Sequence, residues 1–140
     1  MTLGSLNPAQ INSNLIASAP APVVETAVES EPEPQAAPSV RDLIAAKAEE
    51  AGVDKSLALR IAFCESTYRQ FGKDGQPLRG IHNDNDVGLF QINEKYHLEK
   101  SIELGYDIYS TEGNIGYAMW MLKRQGPKPW VWSQPCWGAK

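Results

Sequence analysis

Apolar positions recur with a helical period over three stretches of this chain. Residues 39–51, Ser-Val-Arg-Asp-Leu-Ile-Ala-Ala-Lys-Ala-Glu-Glu-Ala, are dense in strong helix formers. Ser39 stands where an N-cap belongs, and Gly52 where a helix stops. Asp54 opens a second predicted helix, in which Leu57, Ala58, Ile61 and Ala62 fall at i, i+3 and i+4 spacing up to about Glu65. A third is predicted over 111–124, capped by Thr111, with Ile115, Met119 and Leu122 along one stripe and Trp120 beside it. Gly126-Pro127-Lys128-Pro129 ends it. Between the second and third helices, Asp74-Gly75-Gln76-Pro77 reads as a turn and Asn83-Asp84-Asn85-Asp86 as a polar loop. Residues 87–93 fit either a short strand or an entry into a helix, and periodicity does not separate the two. No large sheet is expected. The predicted class is a small, mostly α domain with one short irregular or β segment.

Composition divides the chain unevenly. Residues 1–40 hold six of the ten prolines and four Glu, but no Lys, Arg or aromatic residue. All twelve aromatics fall between Phe63 and Trp137. Stretches such as Pro20-Ala21-Pro22 and Glu31-Pro32-Glu33-Pro34 have too little apolar surface to collapse. Residues 1–40 are therefore expected to be a disordered spacer and 41–140 one folded domain. The formal net charge of −4 resides in the spacer, at Glu25, Glu29, Glu31 and Glu33, and the remainder balances. That balance offers no basic footprint for nucleic acid. No apolar run approaches the length of a membrane span, and the N-terminus lacks the basic start and apolar core of a signal peptide. A monomer without a cofactor is expected.

The candidate chemistry begins with Glu65, four residues after Ile61 and so on or beside the buried helix face. Desolvation there raises a carboxyl's pKa. Asp86 supplies a second carboxylate at the start of a short apolar segment that carries two amides, Gln91 and Asn93. Such a pair is what glycoside cleavage requires: a protonated acid for the leaving oxygen and a wetter carboxylate for the developing sugar cation. Cys64 and Cys136 leave two readings open, a pair of buried free thiols or one disulfide from the Glu65 helix to the chain's end. A disulfide implies an oxidising compartment. No metal is expected. His82 and His97 lack zinc-ligand spacing, and around Asp84-Asn85-Asp86 the glycine and terminal Glu of a calcium loop are misplaced.

Glu65-Ser66, Gly88-Leu89-Phe90-Gln91-Ile92, and Asn114-Ile115 leading to Ala118-Met119-Trp120 together resemble the three-motif pattern of the lytic transglycosylases in the lysozyme-like superfamily. Asp86-Val87-Gly88-Leu89-Phe90-Gln91-Ile92-Asn93 is closer still to the corresponding segment of animal c-type lysozymes. Cys64-Glu65-Ser66 with Trp130-Val131-Trp132 and Cys136-Trp137 resembles bacterial resuscitation-promoting factors, which join such cysteines in a disulfide. The resemblance covers about residues 41–137. It departs from the transglycosylases at Phe90, usually Met, at the missing Asn-Pro after Glu-Ser, and at Asp86, where most carry no acid.

The resemblance implies a lysozyme-like fold whose short irregular segment forms one side of a cleft. It further implies cleavage of the β-1,4 bond between N-acetylmuramic acid and N-acetylglucosamine in peptidoglycan glycan strands, in the cell envelope or outside the cell. Glu65 is then the catalytic acid and Asp86 the second carboxylate of a hydrolase. In a transglycosylase Glu65 alone suffices, because the muramoyl 6-hydroxyl closes a 1,6-anhydro ring. Ser66, Tyr68, Gln91, Asn93 and Tyr117 are the candidate substrate contacts. Each has a plainer rival. Asp86 also suits a turn or helix cap, Gln91 and Asn93 can satisfy loop backbone, and Tyr68, Tyr117, Trp120 and the C-terminal tryptophans suit a core. A non-catalytic wall-binding or signalling module and a wall-piercing part of a larger phage or secretion machine are the competing functions.

Overall fold

A computed structural model describes residues 36–139. The spacer expectation therefore falls mostly outside the described residues. Those at 36–39 are exposed and irregular up to the first helix. From there the order is α1 (Val40–Ala51), α2 (Lys55–Ser66), β1 (Asp86–Val87), β2 (Ile92–Asn93), α3 (Glu94–Glu103) and α4 (Thr111–Gln125). A 3-10 segment (Lys128–Ser133) and the one-turn α5 (Gln134–Trp137) follow. The mostly helical class is borne out, and the two strands form one antiparallel pair.

Local chemistry accounts for the first two helices. Ser39 Oγ accepts from Asp42 N, and the Asp42 carboxylate accepts from Ser39 N, so the pair satisfies two donors that the first turn would leave free. Gly52 ends α1 in the left-handed region at φ 74°. The Asp54 carboxylate then accepts from Ser56 N and Leu57 N to start α2. At α4 the cap is Ser110, whose Oγ accepts from Gly113 N, and not Thr111. The shift of one residue has a simple cause: Ser110 keeps an extended backbone while Thr111 is already helical.

α1 packs on α2 and α4, burying Ile44 and Ala48 against Ala58, Ile61 and Ala62 of α2 and Ile115, Ala118 and Leu122 of α4. Residues 87–93 resolve the strand-or-helix question by doing both. Asp86 and Val87 pair with Asn93 and Ile92, and α3 starts at the next residue. The intervening turn sends Leu89 and Phe90 into the core. Helix α3 was not predicted; its Glu-Lys-Tyr-His-Leu-Glu-Lys-Ser-Ile-Glu sequence has a weak apolar stripe and buries only Ser101.

Cys64 and Cys136 are joined across 72 residues, with Cα atoms 6.0 Å apart. The bridge fixes the C-terminal segment to the last turn of α2. Trp130 and Trp137 are buried, as a core role predicts, whereas Trp132 is 95% exposed and departs from it. Among the described residues no helix is long and apolar enough to cross a membrane.

Candidate active site

Glu65 is in the last turn of α2, with Ile61, Ala62 and Ser66 buried around it. It is itself half-buried, and its Oε1 accepts a hydrogen bond from Ser133 Oγ. Burial pushes the carboxyl above its usual range, the Ser133 hydroxyl pulls it partly back, and the charge of Asp86 pushes it up again. Asp86, which supplies that charge, lies on β1. Its own carboxyl is raised by burial and lowered by the Asn93 amide, which donates to Oδ1 at 2.9 Å. The two acids thus come from separate elements and hold unequal environments.

The hairpin that carries Asp86 is anchored from behind by two buried amides. Asn114 Oδ1 accepts from Phe90 N, and Asn114 Nδ2 donates to Val87 O and Ile108 O, all at 2.9 Å. Gln70 Oε1 accepts from Leu89 N at 3.0 Å, and its Nε2 donates to Ile108 O at 3.1 Å. Gly88 sits between these amides at φ 74°, and a Cβ there would lie 2.5 Å from Gln70 Oε1 and 2.6 Å from Asn114 Nδ2. Only glycine fits both the backbone and the space. The non-glycine residues with positive φ are Thr67, Tyr68 and Gln91, among the described residues. Thr67 and Tyr68 follow the end of the Glu65 helix and Gln91 lies in the hairpin turn, and such backbone persists only where its surroundings over-determine it.

The remaining candidates divide. Ser66 is 3% exposed; its Oγ donates to Ala62 O and accepts from Arg69 N, so it closes α2 and is withdrawn from substrate. Tyr117 is 1% exposed and its hydroxyl meets His97 Nδ1 at 2.9 Å, which makes it core. Burial raises the Tyr117 hydroxyl and lowers His97. Asn93 caps α3 through Lys95 N while donating to Asp86, so both ends of its amide are engaged. Asn93, not Asp86, is thus the helix cap. Gln91 is in the turn at φ 48°, so it does not alternate with Asn93 on an extended strand; its Nε2 donates to Gly88 O. Tyr68 is half-buried, under the Arg41 guanidinium at 4.6 Å and beside Phe63. It lines a 570 Å³ concavity with Leu59, Phe63 and the disulfide, on a face that includes neither carboxylate. Trp120 is half-buried and stacks on Tyr117.

Gln70 and Ser133 were not foreseen, nor was the anchoring role of Asn114. Asn114 gave one usable signal: a polar residue beside Ile115 and four before Ala118, within the apolar stripe of α4. Ser133 gave a conditional one, since a Cys64–Cys136 bridge brings the residue three before Cys136 near the residue after Cys64. Gln70 gave none. Among the described residues, no group of three or more His, Cys, Asp or Glu is arranged to hold a metal ion. No family model, curated protein or solved structure matches the chain.

Proposed function

We propose that the folded unit cleaves the β-1,4 bond between N-acetylmuramic acid and N-acetylglucosamine in peptidoglycan, with Glu65 as general acid. The observation that carries this reading is the Glu65 carboxyl itself. Burial and the Asp86 charge both favour its protonated form, which is what a group that must give up a proton near neutral pH requires. In the reaction the proton passes from Glu65 to the glycosidic oxygen as the C1–O bond breaks and the leaving sugar departs with a free hydroxyl. Positive charge develops at C1 of the muramoyl ring.

Two completions follow. In the hydrolase, Asp86 stabilises or captures the cationic centre, and water supplies the final C1 hydroxyl. In the transglycosylase, the muramoyl 6-hydroxyl adds to C1 and returns its proton to Glu65. The Asn93 amide on Asp86 favours the hydrolase, because it holds a second carboxylate in place and partly offsets the burial that keeps this carboxyl above its usual range. The disulfide supports an extracytoplasmic or secreted location.

Mass analysis of fragments from purified peptidoglycan tests this directly. Reducing ends are expected; anhydro ends, lighter by one water, would assign the reaction to Glu65 and the 6-hydroxyl. Glu65→Gln keeps the shape without the acid, so fragment release should fall by about 10²–10⁴-fold. A protein that binds peptidoglycan yet releases no fragments would support a wall-binding or signalling module instead.

A further inference from the structure

We infer that Ser133 is a positioning residue for the proposed acid: the C-terminal segment delivers its hydroxyl to Glu65 Oε1, so that Oε2 faces the substrate. The inference rests on the reading of Glu65 as the acid and adds to it a partner 68 residues away in sequence.

Four anchors place that hydroxyl. Trp130 Nε1 donates to Phe90 O at 2.7 Å, tying the segment to the hairpin turn. Trp137 Nε1 donates to Trp130 O at 2.9 Å, and Arg60 Nε to Trp137 O at 2.9 Å. Cys136 is bonded to Cys64, the residue before Glu65. Ser133 lies within these attachments and cannot drift far from the last turn of α2.

A serine hydroxyl has one proton, and Ser133 has two acceptors in reach, Glu65 Oε1 and Trp130 O at 3.1 Å. Trp130 O is already served by the Trp137 indole, so the proton is free for the ionised carboxylate. When Glu65 is protonated on Oε2, Oε1 still accepts from Ser133 and the carboxyl cannot swing. One side chain thereby holds the same rotamer through both protonation states of the cycle. Among the described residues no Lys, Arg or His forms a salt bridge with Glu65. Of the titratable groups on the hairpin, the helices and the C-terminal segment around Glu65, Asp86 is the one whose charge acts on it, and it acts in the opposite direction to the Ser133 hydroxyl.

The test uses the full chain with Ser133→Ala and Ser133→Thr, which removes and restores the hydroxyl. Two quantities are read: the Glu65 titration, by carbon-detected NMR of labelled side-chain carboxyls, and the pH–rate profile on purified peptidoglycan. Ser133→Ala should move the Glu65 midpoint to higher pH and the alkaline limb of the profile with it. It should also lower kcat about tenfold, as loss of one hydrogen bond to a charged group does, with little change in KM. Ser133→Thr should restore both. An unmoved midpoint in Ser133→Ala, or a fall carried by KM alone, overturns the inference. A midpoint that moves in a protein whose wild type releases no fragments would keep the Ser133–Glu65 coupling and overturn the peptidoglycan reading instead.

Discussion

A carboxyl four residues after Ile61 is drawn partly out of water when α2 packs, and the consequence reaches stability as well as chemistry. Glu65 binds its proton more tightly folded than unfolded, where its value is near 4.5. As pH rises through 4.5 towards the higher native value, the native state holds the proton that the unfolded state has lost, so stability falls across that window. Glu65→Gln does not titrate. Its melting temperature should therefore gain on wild type between about pH 4 and neutrality, a trend that thermal melts across pH will read directly. Asp86→Asn acts on the same acid from the other side: it removes a neighbouring negative charge, so the Glu65 midpoint and the alkaline limb of the rate profile should move to lower pH. An unmoved limb would mean that the two carboxylates do not communicate. Both acids were legible in the sequence, since a Glu on an apolar helix face and an Asp opening an apolar segment are local signals. Gln70 was not, because it acts only on residues that the fold brings to it, and Ser133 was legible only once the Cys64–Cys136 bridge was granted.

At the scale of elements, the hairpin is too short to stand alone. Two residue pairs cannot hold a turn, so the buried amides of Gln70 and Asn114 supply what a longer ladder would. Asn114→Ala strips partners from Phe90 N and Val87 O inside the core. At roughly 1–3 kcal/mol for each buried group left unsatisfied, the loss should reach at least about 2 kcal/mol in denaturant unfolding. Asn114→Asp tests the direction of the bonds, because a carboxylate still accepts from Phe90 N but cannot donate to Val87 O or Ile108 O. It should recover little of that loss. The helices with strong caps and apolar stripes, α1, α2 and α4, were legible to within a residue or two. Helix α3 was not, because the signal that starts it is Asn93, a residue that equally suits a loop, and its face buries almost nothing.

For the molecule as a whole, the disulfide decides how far one set of contacts depends on another. α1, α2 and α4 bury a shared core, while the C-terminal segment reaches α2 through the Arg60–Trp137 hydrogen bond and the bridge. The sequence favoured a bridge over free thiols without showing it, since spacing alone carries no geometry; packing Cys136 beside α2 is what joins them. Closing a loop of 72 residues restricts the unfolded chain by roughly 4 kcal/mol. Against the roughly 5–15 kcal/mol typical of a domain, that is a large share but not the whole. The double variant Cys64→Ser/Cys136→Ser should therefore lose about 4 kcal/mol in guanidinium unfolding yet keep its helical circular dichroism at 25 °C. Peptide mapping without reductant should find the two cysteines linked. If both thiols instead label freely in the unreduced, denatured protein, the bridge is absent, and with it the physical ground for assigning the protein to an oxidising compartment.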